Sequence, residues 1–95
     1  MAAATSDGQT AFLANGCGAC HSVRGSAADG RIGPDLTHVG GRAAIAAGTL
    51  DTRANNIARW IAASDHIKPG ALMPAFRTLP PDQVRSIAAY LAELR

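Results

Sequence analysis

The feature that most restricts how this chain can fold is a closely spaced pair of cysteines followed by a histidine. Two residues separate Cys17 from Cys20, and His21 comes next. Residues three apart lie on one face of a helical turn, so both sulfurs can reach the two vinyl groups on one edge of a porphyrin. His21 then lies beneath the iron, where its imidazole can serve as the proximal ligand. The spacing therefore predicts covalent attachment of a haem c.

Other sites also use paired cysteines. A thioredoxin-like thiol redox site needs a βαβ context, and the chain has no valine- or isoleucine-rich run that would supply buried strands. A zinc site needs four ligands, and the missing pair would have to come from His21, His38 and His66, whose spacings match no common zinc module. A chance match is the third alternative. The motif favours haem over all three.

A second axial ligand has few candidates, and Met73 is the main one. Methionines more often fill core gaps than bind metals, but Met73 lies in a segment bracketed by Pro69-Gly70 and Pro74. Pro74 has no N–H for a helix and biases Met73 towards extended geometry. A rigid loop of this kind suits the presentation of a thioether to iron. His38 and His66 are the alternative ligands.

A haem would also compensate for a core of small side chains. Of 45 hydrophobic residues in the 95-residue chain, 21 are alanine, and only four residues are aromatic. Such side chains bury little area, at roughly 25 cal/mol per Å², and small domains bury the smallest fraction of their surface. A rigid, covalently held cofactor can fill the centre instead. We therefore expect the chain to fold poorly without haem.

Charge and hydropathy exclude several classes of protein. No run of about 18 apolar residues exists, so we expect no membrane contact by this segment itself. The net charge of +2 comes from basic and acidic residues that are interspersed along the chain without a basic run, so nucleic-acid binding has little support.

The N-terminus lacks the basic and apolar regions of a signal peptide. We interpret residues 1–6 as an added start or linker and residues 7–95 as a single domain.

The chain resembles the class I cytochromes c from about Asp7 to Leu94. The shared motifs, in order, are Cys17 to His21, Gly33-Pro34-Asp35-Leu36, Gly41-Arg42, Lys68-Pro69-Gly70, Leu72-Met73-Pro74 and Tyr90-Leu91. Two longer stretches are similar to the cytochrome c domain fused to subunit II of caa3-type haem–copper oxidases. These stretches are residues 33–42 and residues 56–74.

The resemblance implies an all-α cytochrome c fold, with about three to five helices and long loops around one covalent haem c. It implies thioether bonds from Cys17 and Cys20, with His21 and Met73 as the axial iron ligands. It also implies that the Pro34 carbonyl accepts a hydrogen bond from the His21 ring, which fixes the tautomer and raises ligand basicity.

Three further residues would shape the haem environment. The resemblance implies that Leu36 packs on the haem face and that Arg42 and Trp60 hold the propionates. A buried indole N–H generally needs a partner, and an arginine offsets the desolvation of a carboxylate. The alternatives are that Leu36 and Trp60 are ordinary core residues and that Arg42 is a solvated loop charge.

Periodicity predicts three main helices. The first runs from about Ser6 to Asn15, capped by Ser6 or Asp7, and the second from near Asp51-Thr52 to about Ala63. The third has Pro81 at its first position and an apolar stripe of Val84, Ile87, Ala88 and Leu91. The segment from Ser22 to Gly48 is predicted to be ordered loop, supported by Ile32, Leu36 and Val39, with one short helix over Ala43–Ala47.

An iron with both axial positions filled by the protein implies a one-electron carrier and not an enzyme. By resemblance, the chain would be the electron-entry domain of a membrane-anchored caa3-type oxidase, at the periplasmic or outer face of the bacterial cytoplasmic membrane. It would pass electrons from a respiratory-chain donor to the di-copper CuA centre. The alternatives are a free periplasmic cytochrome c, a thiol redox enzyme and a haem peroxidase. The missing signal peptide favours the oxidase, and the single lysine argues against wide electrostatic steering.

Overall fold

Three α-helices dominate the computed structural model, which describes residues 3–45, 50–51 and 53–95. Within these ranges the helices are α1 (Ala3–Ala14), α2 (Ala54–Ile67) and α3 (Pro81–Ala92). Short 3₁₀ turns cover Cys17–Ala19 and Val39–Gly41, and β1 (Ala44–Ile45) pairs antiparallel with β2 (Leu50–Asp51). The predicted all-α fold class is confirmed. No helix in the described ranges is both long and apolar enough to cross a bilayer.

The first and last helices cross at a glycine. A β-carbon added at Gly8 would lie 2.1 Å from the carbonyl oxygen of Ser86 and 2.5 Å from the β-carbon of Tyr90. One turn further along α1, the rings of Phe12 and Tyr90 meet edge to face at 5.8 Å, a favourable aromatic arrangement. Helices α1 and α3 are therefore in close contact around Gly8 and Phe12.

The core lies where these helices meet. The predicted stripe on α3 is confirmed, since Val84, Ile87, Ala88 and Leu91 are all buried. Ile57 and Ile61 supply the buried face of α2. Pro81 begins α3 as predicted, and the preceding Pro80 gives no side-chain cap. Instead, the carbonyl of Pro80 accepts the N–H groups of Gln83 and Val84.

Three predictions of local structure were wrong. Helix α2 begins at Ala54 and not near Asp51-Thr52, because Asp51 belongs to β2 and pairs with Ala44; Thr52 lies outside the described residues. Helix α1 begins at Ala3, so Ser6 and Asp7 lie inside it and do not cap it; alanine has the highest helix propensity and extends the helix towards the N-terminus.

The short helix expected over Ala43–Ala47 is absent where the structure describes it. Ala44 and Ile45 form a strand. A five-residue helix is marginal, and a β-branched residue suits strand pairing. Ala46 and Ala47 lie outside the described residues.

The connection from Ser22 to Val39 is ordered, as predicted. Val39 is buried in the core and Leu36 packs against it, as expected, whereas Ile32 is 82% exposed and contributes little. Backbone hydrogen bonds also hold the loop, from Val23 N to Ala28 O and from Leu36 N to Ser22 O. The loop then docks on the end of α3, where Gly40 N donates to Leu94 O.

Candidate cofactor site

A single tight turn carries both cysteines and the histidine. The N–H groups of Cys20 and His21 both donate to the Cys17 carbonyl, at 3.2 and 2.9 Å. No disulfide joins Cys17 to Cys20, and both cysteines and His21 are half-buried. The predicted helical turn is therefore present, and it brings two sulfurs and an imidazole to one short piece of chain.

The following loop folds back over this turn. Gly30 N donates to Gly18 O at 3.0 Å and to His21 O at 3.2 Å, and Gly33 N donates to Cys20 O at 2.6 Å. A β-carbon at Gly30 would lie 2.4 Å from the Ala19 carbonyl, so no other residue fits without displacing the backbone. Hydrogen bonds from Gly30 and Gly33 therefore hold the turn in place.

His21 has a fixed ring orientation. Its Nδ1 lies 2.8 Å from the carbonyl oxygen of Pro34; because a carbonyl can only accept, Nδ1 carries the proton. In the neutral tautomer with this hydrogen bond, Nε2 has the free lone pair that can bind a metal. A β-carbon at Gly33 would lie 2.5 Å from the ring carbon Cε1, so the imidazole is packed directly against the backbone.

The thiol of Cys17 does not have the properties of a redox catalyst. Burial raises the pKa of this thiol, whereas catalytic thiols have lowered pKa values. A zinc site would need four ligands, and in the described part of the chain no group of three or more His, Cys, Asp or Glu side chains is arranged so that it could hold a metal ion by itself. Both observations weigh against the alternatives to haem.

The segment that carries Met73 is tied to α2 at three points. The Ser64 hydroxyl donates to Met73 O at 2.9 Å, Phe76 N donates to Ile61 O at 2.9 Å, and Arg77 forms an ion pair with Asp65. The left-handed turn at Gly70, with φ of 85°, leads into this segment.

A break in α2 makes these ties possible. Ala63 has non-helical dihedral angles, φ −143° and ψ 39°. In an unbroken helix the Ile61 carbonyl would accept from Asp65 N; here it accepts from Phe76 N. The predicted end of the second helix at Ala63 coincides with this break, and one further turn continues to Ile67.

The other predicted site residues occupy varied positions. Leu36 and Met73, like Cys17, are partly buried and pack against the core cluster. Trp60 is half-buried on α2 beside the buried Ile61. Arg42 is exposed, and its guanidinium donates to the Asp35 carbonyl at 3.1 Å.

The two alternative histidine ligands differ in their contacts. His38 Nδ1 donates to the carbonyl oxygen of Arg95 at 3.0 Å, so its ring fastens the loop to the end of the chain. His66 is exposed in the last turn of α2. Sequence reasoning missed Ser64 and the Asp65–Arg77 pair, since a serine followed by an aspartate on a helix is typical of a solvated face.

These residues fit a covalently attached haem. Two sulfurs on one turn match the two vinyl groups, and an imidazole with its free Nε2 beside them is a suitable proximal ligand. The thioether of Met73 stands on a segment whose backbone is fastened to α2. Partly buried apolar side chains pack against the core in the segments that contain Pro34 and Met73: Leu36, Met73, Phe76 and Leu79.

Comparison with known proteins agrees with this geometry. Residues 5–95 match the cytochrome c family. Over 88 residues the chain is 33% identical to cytochrome c oxidase subunit 2 of Alkalihalophilus pseudofirmus (strain OF4), covering 93% of this chain and 25% of that protein. The chain thus spans about a quarter of that relative's length.

A solved structure shares the fold. The c-type cytochrome SorU from Sinorhizobium meliloti superposes with a TM-score of 0.67 at 19% identity, covering 96% of this chain and 90% of that one. The family match extends over nearly all of the chain, and the paired cysteines have the spacing that covalent attachment requires. The chain belongs to the cytochrome c family, and its cofactor is a covalently attached haem c.

Proposed function

We propose that this domain transfers single electrons as the electron-entry domain of a caa3-type cytochrome c oxidase. In this proposal Cys17 and Cys20 form the thioether bonds, and His21 and Met73 are the axial ligands. The observation that carries the proposal is the 2.8 Å hydrogen bond from His21 Nδ1 to the Pro34 carbonyl, beside the paired cysteines. It leaves Nε2 ready to bind iron.

When bound, haem c supplies one-electron exchange between ferric and ferrous iron. The residues of the chain set the conditions for that exchange. The Pro34 carbonyl makes His21 a stronger electron donor by accepting a hydrogen bond from its Nδ1–H group. Met73 contributes a thioether, which raises the reduction potential relative to a second histidine. With both axial positions filled by side chains, no site is open to a small substrate.

The oxidase assignment is supported by the likeness to a cytochrome c oxidase subunit 2. As part of such a subunit, the domain would receive electrons from a respiratory-chain donor. It would deliver them to the CuA centre of the adjoining domain, at the periplasmic or outer face of the cytoplasmic membrane. Arg42 and Trp60 remain the proposed propionate contacts, and Leu36 a proposed haem contact.

A free periplasmic electron shuttle is the second candidate. The likeness to SorU extends over 90% of that protein's chain, so a domain of this size also makes up nearly the whole of a c-type cytochrome chain. The two candidates share the same chemistry and differ in the acceptor.

Spectroscopy of the holoprotein tests the chemistry, and kinetics test the acceptor. The reduced protein should show sharp c-type bands, and Met73→Ala should abolish the methionine–iron charge-transfer band of the ferric form. Rapid binding of cyanide or carbon monoxide by the unmodified protein would favour the peroxidase alternative. In stopped-flow mixing, the reduced domain should reduce a CuA domain; failure to do so, with intact spectra, would leave the free shuttle.

A further inference from the structure

Ser64 is the most deeply buried of the polar residues whose side chains the structure describes. Of the polar side chains whose burial the structure describes, only that of Ser64 is fully buried, at 0% exposure. A buried hydroxyl is costly unless it forms a hydrogen bond. Its partner is the carbonyl oxygen of Met73, 2.9 Å away, so this buried hydroxyl bonds to the residue proposed to bind iron.

The break in α2 directs this hydroxyl. A serine within a helix often bonds back to a carbonyl of the preceding turn. Ser64 instead follows the non-helical Ala63 and opens the last turn of the helix, where its own carbonyl accepts from Lys68 N at 2.9 Å. Its backbone is therefore held, and its side chain bonds to a segment nine residues further along the chain.

The acceptor belongs to the peptide bond between Met73 and Pro74. Proline confines ψ of the preceding residue and its own φ, so this peptide plane already has a narrow range of orientations relative to the chain on either side. The bond from Ser64 fixes that plane. The same α-carbon bears the thioether side chain, so the hydrogen bond limits where the sulfur can lie.

The other two ties act further along the segment. Phe76 is held by the Ile61 carbonyl and Arg77 by the Asp65 carboxylate. The tie from Ser64 is the one that reaches Met73 itself. Loss of the hydroxyl would leave Phe76 and Arg77 in place while freeing the ligand-bearing residue.

We propose that Ser64 is a positioning residue for the sixth iron ligand. Its hydroxyl keeps the Met73 thioether on the iron and so resists replacement by external ligands. This inference rests on the proposed ligation by Met73. If the proposal is right, loss of this one hydrogen bond lets added ligands bind the iron more easily. The effect should not depend on how stable the rest of the fold is.

The test compares Ser64→Ala with Ser26→Ala in the ferric holoprotein. Ser26 is a matched control, because its hydroxyl also donates to a backbone carbonyl, that of Val23 at 2.8 Å, far along the chain from Met73. Added imidazole competes with methionine for iron. We expect Ser64→Ala to bind imidazole about tenfold more tightly than the unmodified protein, the factor expected for one lost hydrogen bond. Ser26→Ala should bind it like the unmodified protein.

Equal imidazole affinity in Ser64→Ala and the unmodified protein would overturn the proposal, even if Ser64→Ala unfolded more easily. Met73→Ala tests the ligation separately. A charge-transfer band that survives this substitution would show that Met73 is not the iron ligand. If Ser64→Ala yields no holoprotein, proton NMR of the unmodified ferrous protein decides. A slowly exchanging Ser64 hydroxyl proton is expected, and exchange as fast as that of a solvated serine would overturn the proposal.

Discussion

Gly33 lies directly against the imidazole of His21, so that a β-carbon at this position would be 2.5 Å from ring carbon Cε1. The same peptide segment presents the Pro34 carbonyl to Nδ1 of that ring. Packing and hydrogen bonding thus act together on the proximal ligand. The glycine is required for its small size at this contact.

Gly33→Ala should therefore disturb the proximal ligand. The added methyl group must displace the ring or the loop, and overpacking of this kind costs about 1–3 kcal/mol. Denaturant titration of the holoprotein, followed at the haem absorption bands, measures that loss. Gly41→Ala is the control, because its β-carbon would meet nothing closer than 3.5 Å. Equal stability of the two variants would contradict the packing argument.

Gly8→Ala should destabilise the crossing of α1 and α3. Alanine favours a helix over glycine by about 1 kcal/mol, so an exposed site would gain stability. At Gly8 the β-carbon would meet the Ser86 carbonyl at 2.1 Å, and the helices would have to separate. Overpacking costs up to about 3 kcal/mol, so we expect a net loss of about 1–2 kcal/mol in the free energy of unfolding, measured with urea. A gain in stability would show that the helices can move apart cheaply.

Truncation of two leucines in different surroundings should change the free energy of unfolding by very different amounts. Leu91 is 6% exposed in the core, and Leu72 is 96% exposed beside Met73. Leu91→Ala removes buried methyl groups and leaves a cavity, at a cost of about 2–5 kcal/mol. Leu72→Ala should change the free energy of unfolding by no more than about 0.5 kcal/mol. Urea titrations of the two holoproteins give both values, and a large loss for Leu72→Ala would contradict its exposure.

The ion pair between Asp65 and Arg77 should make stability depend on acid pH. The hydrogen bond from Arg77 holds the pKa of the Asp65 carboxyl below its ordinary value of 3.8. A carboxyl whose pKa is lower in the folded state adds stability above its unfolded pKa, and this stability is lost as the pH falls through the folded pKa.

Arg77→Gln isolates this contribution. The difference in urea midpoint between Arg77→Gln and the unmodified holoprotein should be constant above about pH 5 and vanish below the folded pKa of Asp65. Both side chains are half exposed, so salt should reduce the difference at neutral pH. A difference that grows on acidification would have the wrong sign for this pair.

Removal of the haem attachment should abolish cooperative folding. The Cys17→Ser, Cys20→Ser variant keeps every apolar side chain of the core but lacks the covalent cofactor that an alanine-rich interior needs. Its thermal unfolding, followed by circular dichroism, should be broad and without a defined midpoint. A sharp, two-state transition would show that the helix contacts suffice, with Gly8, Phe12 and Tyr90 as the centre of an independent core.

Much of the site could be predicted because its chemistry depends on local spacing. The turn from Cys17 to His21 and the start of α3 at Pro81 both follow from neighbouring residues. Ser64 could not be predicted, since its role requires a break at Ala63 and a partner in another segment. The short helix over Ala43–Ala47 failed for a similar reason, because the pairing of Ile45 with Leu50 outweighed the local preference of alanine for helix.

The crossing of α1 and α3 also determines when the protein can finish folding. The ring of Phe12 packs against that of Tyr90, near the opposite end of the chain, and contacts this distant in sequence form slowly. Because a protein is synthesised from its N-terminus, this contact cannot form until α3 has been synthesised. During that interval the segment with Cys17 and Cys20 is not yet enclosed, which leaves time for the cysteines to be joined to haem before the domain closes.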